Sequence, residues 1–184
     1  MRKIKLNWNS DKILSISAMS ISFITLIIFV YQTNLMSKQN YLSILPYLQV
    51  SYSNNVTENS YSLSLLNHGV GPAIIESVTM IHKGKRYELQ DYNNDIFTFL
   101  TAVHPELDSV NVFSSATLNK GIAIPANSVY NLIQVKNSEK DYLLLTSNLF
   151  QMEKEGFEYE IVYKSIQNEH WMISNSSDGP VKLD

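Results

Sequence analysis

The chain has 184 residues, of which 45% are hydrophobic, and a formal net charge of −3 at pH 7. It contains no cysteine, which excludes disulfide bonds and thiolate metal sites. Residues 1–45 carry five basic side chains and one acidic side chain, whereas residues 46–184 carry nine basic and sixteen acidic ones. General nucleic-acid binding by the acidic part is not expected, because phosphate contacts dominate that affinity.

An uncharged run of 19 residues, ILSISAMSISFITLIIFVY, occupies positions 13–31. As a helix it reaches about 28 Å, close to the ~30 Å of a bilayer's hydrocarbon core, and it predicts a single transmembrane helix. A signal peptide is the weaker alternative. Signal peptides have a shorter apolar run than this one, and a small-x-small cleavage site follows their run, whereas none follows here. The tail at 1–12 is basic, which predicts a cytoplasmic N-terminus and a domain outside the cell membrane.

Small and hydroxylated residues recur along one side of this helix. They are Ser15, Ala18, Ser22, Thr25 and Gln32. Such a stripe lets helices approach closely and hydrogen-bond across the contact, so it predicts a homo-oligomer; in a ring of helices it would line a pore. The alternative is that the hydroxyls bond the backbone of their own helix.

The segment at 32–45 has no glycine or proline and is predicted to prolong the helix as a juxtamembrane stalk that ends at Pro46. A β domain is then predicted over 46–174, followed by a polar tail at 175–184. Patterns typical of strands recur at 47–52, 61–65, 73–81, 86–89, 110–113, 121–124, 129–135, 157–163 and 170–173.

Two short helices interrupt these strands in the prediction. The first covers 91–103, where apolar residues follow a helical spacing, and Pro105 stops it. The second begins at Ser138-x-x-Asp141, a helix-start signature before the apolar run 142–150. Eight or nine strands with short connections predict a mainly β fold, either a sandwich or a barrel.

The most distinctive motif is Asn67-His68-Gly69-Val70-Gly71-Pro72. Gly69 and Gly71 permit positive φ, Pro72 fixes the exit, and the Asn67 side chain can bond the backbone of the turn, so we interpret the motif as a structural turn. A phosphate-binding loop is the alternative. It is disfavoured because Ile74 stands where the third glycine belongs and a strand follows in place of a helix.

Residues 65–73 resemble the strand-turn signature of CARDB-type, immunoglobulin-like domains, and the resemblance covers about residues 47–136. It implies an immunoglobulin-like β-sandwich and no particular activity. The two helices depart from a plain domain of this kind. The whole arrangement, with its Ser43-x-x-Pro46-x-Leu48 entry, also resembles a group of uncharacterised short bacterial single-pass membrane proteins.

Recognisable catalytic chemistry is absent from the sequence. The four histidines show no metal-ligand spacing, and no nucleophile elbow, Walker loop or His-Glu-x-x-His motif occurs, so neither an enzyme nor a cofactor is expected. Lys83, Lys85 and Arg86 form the one basic group. At a hairpin tip they are candidates for contacting an anion or ligand; the alternative is solvent-exposed charge.

Two functions fit these features. The first is a non-enzymatic membrane effector, in which the β domain binds a ligand or partner and the striped helix assembles a homo-oligomer, in one version a gated ion channel. This layout resembles the membrane effectors of anti-phage defence by architecture alone. The alternative is a passive extracytoplasmic interaction or adhesion module. Membrane lipid is an expected partner in both.

Overall fold

The computed structural model describes residues 9–112 and 114–183, which fall into two compact units that meet at the boundary between Leu42 and Ser43. The first unit contains one continuous helix, α1 (Ser10–Leu42). None of its residues is buried, although most of them are apolar. Helix α1 is long and apolar enough to cross a membrane, as the sequence predicted. It continues without a break through most of the predicted stalk.

The second unit is a β domain with two helices. In chain order its elements are β1 (Leu48–Asn55), β2 (Ser60–Asn67), β3 (Ala73–His82), β4 (Lys85–Glu88), α2 (Ile96–Val103), β5 (Ser114–Ser115), β6 (Ala123–Ile124), β7 (Ser128–Val135), α3 (Glu139–Lys154), β8 (Glu158–Lys164), β9 (His170–Ser174) and β10 (Val181–Lys182). Short 3-10 turns at Leu89–Tyr92 and Pro105–Ser109 flank α2.

The strands form two antiparallel sheets. The front sheet has the order β1-β2-β7-β5, and the back sheet has the order β10-β9-β8-β3-β4, with β6 paired to the start of β3. If the strands are lettered A (β1), B (β2), C (β3), C′ (β4), D (β5), E (β7), F (β8) and G (β9), these orders become A-B-E-D and G-F-C-C′. That is the arrangement of immunoglobulin-like sandwiches, and it confirms the predicted fold class.

The two helices occupy connections between the sheets. Helix α2 lies in the C′-to-D connection and α3 in the E-to-F connection. The anchor of α2 is Phe99, whose buried ring contacts those of Tyr87, Tyr92 and Phe157 at centroid distances of 5.3 to 6.3 Å. Edge and tilted ring contacts of this kind add to the stabilisation that burial provides. Helix α2 is thereby fixed to the back sheet.

The helix starts test the capping predictions. Ser138 caps α3 by accepting a hydrogen bond from the Asp141 backbone N–H at 3.3 Å, so that start signature is confirmed. Helix α2 starts later than predicted. Asn93 and Asn94 have φ of 57° and 55°, which breaks the helical path, and Asp95 caps the helix through the Phe97 N–H.

Two other predictions differ from the structure. Residues 110–112 form no strand, because Val110 closes the preceding 3-10 turn through its bond to the Leu107 carbonyl; Phe113 lies outside the described residues. The region interpreted as a polar tail contains β10, which pairs with β9. A strand of two residues is too short to show an alternating pattern, so it could not be predicted from the sequence.

Candidate functional site

An open groove with a volume of about 400 Å³ lies between the two sheets, with α2 and α3 contributing to its walls. Its apolar walls comprise Val50, Leu63, Leu132 and Ile133 from the front sheet, Met80 and Ile161 from the back sheet, and Ile96, Leu100, Leu149 and Phe150 from the helices. The volume lies within the range of small-molecule sites, which are mostly apolar with a few placed polar groups.

Polar groups line the same groove at defined points. The side chain of Glu153 is the one charged group among the described lining residues. Burial, with smaller contributions from Tyr52 and Glu153, raises the pKa of Tyr61 to about 12, so its hydroxyl is neutral at ordinary pH. Tyr52 and Phe150 are largely exposed. The groove therefore offers an apolar wall together with neutral hydroxyls and one carboxylate.

One hydrogen bond ties α3 to the front sheet. The Tyr142 hydroxyl donates to Asn54 Oδ1 at 2.6 Å, and the rest of the Tyr142 side chain is buried. Because Tyr142 is in the first turn of α3 and Asn54 is near the end of β1, this bond holds one end of the helix beside the groove. The opposite end of α3 reaches a different group of residues.

At that opposite end, His82, His104 and Glu155 come together. One potential ligand atom from each residue lies within 4.8 Å of the others, and His82 Nε2 is 3.3 Å from Glu155 Oε2. His82 is 3% and His104 8% exposed. Within the described part of the chain, both nitrogens of His82 and Nε2 of His104 are buried without a hydrogen bond of good geometry.

The charges around this cluster come from neighbouring side chains. Lys83 Nζ lies 3.0 Å from Glu155 Oε2, and Glu106 Oε1 lies 3.5 Å from His104 Nδ1. Burial lowers the pKa of His82, the Lys83 charge lowers it further, and Glu155 opposes the shift. Hydrogen bonds from Gln151 and then Lys83 lower the pKa of Glu155. The arrangement contains a carboxylate beside a neutral imidazole.

The basic hairpin is engaged within the domain. Lys83 contacts Glu155 as described, Arg86 makes a two-pronged ion pair with Glu160, and Lys85 lies over the ring of Tyr87 at 4.9 Å from its centroid. The Arg86 bond is the main cause of the lowered pKa of Glu160. The three cations face different partners, and the structure does not gather them into one anion site.

The Asn67 turn is closed by side-chain hydrogen bonds. Asn67 is 1% exposed; its Oδ1 accepts from the Tyr47 and Gly69 N–H groups at 3.1 and 3.0 Å. Its Nδ2 donates to the carbonyls of Gly71 and Ile124 at 2.8 and 3.0 Å. All four hydrogen-bonding positions of the amide are thus used.

The prediction that Gly69 and Gly71 serve the turn by adopting positive φ is wrong. Neither Gly69 nor Gly71 has positive φ. A Cβ on Gly69 would overlap with the Leu45 carbonyl oxygen, and one on Gly71 with that of Ile44. The glycines are required by close backbone approach to the segment that enters β1. Pro72 lies between this approach and the start of β3.

The predicted stripe residues all lie on α1 with exposed side chains. Ser15 Oγ donates to the Asp11 carbonyl at 2.8 Å, and Thr25 Oγ1 donates to the Ile21 carbonyl at 2.8 Å. These two hydroxyls bond their own helix, as one of the two interpretations held. Ala18, Ser22 and Gln32 contribute the rest of the stripe.

Sequence reasoning missed the histidine cluster, since its members are 22 and 51 residues apart along the chain. A weak signal was present, because each residue lies just before a glycine or proline that is typical of an element's end: His82 precedes Lys83-Gly84, His104 precedes Pro105, and Glu155 precedes Gly156. No family model and no curated protein matches this chain. The resemblance to CARDB-type domains accordingly stays an expectation, and function is argued from the site.

Proposed function

We propose that this chain is a non-enzymatic, single-pass membrane protein whose immunoglobulin-like domain binds an apolar small molecule in the groove between its sheets. The observation that carries the proposal is the groove itself, with a volume of about 400 Å³ and walls made mainly of aliphatic and aromatic side chains. An apolar wall favours a hydrocarbon-rich ligand, because burial of apolar surface is the main source of affinity for such a molecule.

The polar lining narrows the ligand class. Glu153 would repel a carboxylate or phosphate placed beside it, whereas the neutral Tyr61 hydroxyl can share a hydrogen bond with an alcohol or amide. A long-chain molecule with a neutral or cationic head group fits both features. Helix α1 would place the domain next to lipid, which is a source of such molecules.

Photo-crosslinking of the full-length chain in lipid nanodiscs tests the proposal. The probe is a long-chain alcohol that carries a diazirine, and crosslinked peptides are mapped by mass spectrometry. We expect labelled peptides from α1, which contacts lipid, and also from β2 and α3 beside the groove. Labelling of α1 alone, with none in the β domain, would reject the groove as a binding site.

Matched variants separate groove binding from general hydrophobic labelling. Leu149→Trp fills the groove and should remove labelling of β2 and α3 while that of α1 persists. Leu143→Trp makes the same change on the same helix at an exposed position that does not line the groove, and it should leave labelling unchanged. Equal labelling of the two variants would contradict the assignment.

The effector function extends this proposal to α1. In that version ligand binding is coupled to a homo-oligomer, in one form a gated channel of anti-phage defence type, and the support is the small-residue stripe. Mass measurement of the full-length protein in detergent tests it. Ala18→Ile should reduce the mass of an oligomer, whereas Ser20→Ile, which lies off the stripe, should not. A monomer in all three samples would leave the passive interaction module as the function.

The basic tail supports an extracytoplasmic position for the domain, as the positive-inside rule predicts. Protease added to intact cells should then digest the β domain. Protection in intact cells with digestion in opened cells would place it in the cytoplasm. That outcome would remove the extracytoplasmic module from consideration and leave the groove assignment unaffected.

A further inference from the structure

We propose that His82, His104 and Glu155 form a binding site for a divalent transition metal, with Zn²⁺ as the best-matched ion. Two imidazoles and one carboxylate are a ligand set that Zn²⁺ uses when three protein groups bind it and a water completes the tetrahedron. The site does not depend on the ligand groove. It stands on the geometry of three residues at the end of β3 and directly after α2 and α3.

The distances are close to those that a metal requires. Ligand atoms of a tetrahedral zinc site lie about 3.4 Å apart, as follows from bond lengths of about 2.0–2.1 Å. His82 Nε2 and Glu155 Oε2 already lie 3.3 Å apart. All three ligand atoms lie within 4.8 Å of one another, so each needs to move by only about 1 Å to reach that spacing.

The hydrogen-bonding state of the cluster is the second observation. His82 and His104 are more than nine-tenths buried, yet His82 Nδ1 and Nε2 and His104 Nε2 have no hydrogen bond of good geometry among the described residues. Leaving a buried polar group unpaired costs about 1–3 kcal/mol, so native proteins rarely keep several in one place. A metal ion bonds one nitrogen lone pair of each imidazole, here at His82 Nε2 and His104 Nε2, and removes that part of the cost.

The surroundings of His104 fit the same assignment. Glu106 Oε1 lies 3.5 Å from His104 Nδ1, and the Glu106 side chain is about half exposed and free to move closer. Metal-bound histidines usually donate their second N–H to a carboxylate, which fixes the tautomer and orients the ring. A proton on Nδ1 of His104 leaves Nε2, the buried and unpaired nitrogen, as the ligand atom.

Lys83 is the competitor in this site. Its ammonium lies 3.0 Å from Glu155 Oε2, the oxygen assigned to the metal, so binding of a cation requires Lys83 to leave. The Lys83 side chain is 62% exposed, which lets it turn into solvent at little cost. Removal of this positive charge should therefore tighten metal binding, a result that a purely structural cluster would not give.

The experiment uses the full-length chain in detergent, purified with a tag that contains no histidine and stripped of metal with a chelator. Zinc content after dialysis, and the visible absorption of added Co²⁺, report on binding and on tetrahedral geometry. We expect one ion per chain in the wild type. Glu155→Gln and His104→Ala should each weaken binding at least tenfold, and Lys83→Met should strengthen it.

Matched controls use residues of the same types outside the cluster. His68→Ala replaces an exposed histidine, and Glu153→Gln replaces a carboxylate on the same helix as Glu155; both should bind zinc as the wild type does. If His104→Ala fails to fold, Glu155→Gln and Lys83→Met still carry the test, since both positions are partly exposed. Absence of bound zinc in the wild type, or equal binding by wild type and Glu155→Gln, would overturn the proposal.

Discussion

Two buried polar sites in the same β domain differ in how their hydrogen bonds are used. The Asn67 amide makes four hydrogen bonds, and every one of its donors and acceptors has a partner. The cluster of His82, His104 and Glu155 leaves three imidazole nitrogens without a hydrogen bond of good geometry among the described residues. A satisfied buried group stabilises a fold by itself, whereas an unsatisfied cluster stabilises it only when a ligand supplies the missing bonds.

The largest loss of stability is expected from a substitution of Asn67, whose hydrogen bonds are all made. Asn67→Ala removes four hydrogen bonds in a buried turn and should lower the free energy of unfolding by about 4 kcal/mol, since each unpaired buried group costs about 1–3 kcal/mol. Urea unfolding of the full-length protein in detergent measures this loss.

Two comparison variants make that measurement decisive. Asn67→Asp keeps the two acceptor bonds but sets a carboxylate oxygen against the carbonyls of Gly71 and Ile124, so it should lose at least as much stability at neutral pH as Asn67→Ala. Asn119→Ala removes an exposed amide that bonds only the Thr117 hydroxyl in the described contacts, and should change stability little. Equal losses for Asn67→Ala and Asn119→Ala would show that the turn is not needed for the fold.

Metal removal should produce the second largest loss of stability. It tests the cluster of His82, His104 and Glu155, whose hydrogen bonds are incomplete. At a free zinc concentration 100 times the dissociation constant, binding stabilises the folded state by about 2.7 kcal/mol. For a chain of this size the melting temperature should fall by roughly 8 °C when a chelator is added. In Glu155→Gln, which binds zinc at least tenfold more weakly, the chelator should lower the melting temperature by about half as much or less. A wild-type melting temperature indifferent to zinc would contradict the ligand role of the cluster.

A smaller effect is expected when the unsatisfied group itself is replaced. In the presence of a chelator, His104→Leu should change the free energy of unfolding by less than about 1 kcal/mol, because it exchanges an unpaired imidazole for an apolar group of similar size. Asn67→Leu under the same conditions should be strongly destabilising. If both leucine variants lose stability equally, a buried group with hydrogen-bond partners does not differ in stability from one without them, and the comparison fails.

The smallest effect is expected from the ion pair of Arg86 and Glu160, which contrasts with both buried sites. The Arg86 hydrogen bond lowers the pKa of Glu160 below its ordinary value of 4.5, so the pair contributes stability above about pH 4.5 and loses it as the pH falls through the folded-state pKa. The contribution should stay below about 1 kcal/mol, because the pair is partly exposed to solvent.

Glu160→Gln should therefore flatten the acid side of the stability profile between about pH 5 and pH 3. Arg86→Met serves as its partner variant, and the double variant should lose no more than either single one. Melting temperatures recorded across this pH range measure the difference. A steeper acid limb in Glu160→Gln would reverse the assigned sign.

The sequence predicted the elements that have a strong local signal. Uncharged length indicated α1, alternation indicated β1, β2 and β8, and the Ser138 cap indicated the start of α3. The signals failed where elements are short or interrupted. Strands β5 and β10 have two residues each, too few for a period, and the left-handed Asn93 and Asn94 shift the start of α2.

The candidate sites were likewise predictable only where their residues lie close together in the sequence. The Asn67 turn was found because all its key residues lie within six positions, although only the structure shows that the glycines allow close backbone approach. The groove and the histidine cluster combine residues from strands and helices that are far apart in the chain. No periodicity or spacing in one sequence reports such a contact.

The sequence by itself determined that this protein has one long apolar helix, a mainly β domain and a tight Asn-x-Gly turn, because charge, apolar period and turn chemistry are local properties. The tertiary structure decided that His82, His104 and Glu155 meet, and that a groove opens between the sheets. The physical reason is that helices α2 and α3 occupy connections between the sheets, where burial of Phe99 and Tyr142 against residues distant in the chain sets how each helix packs.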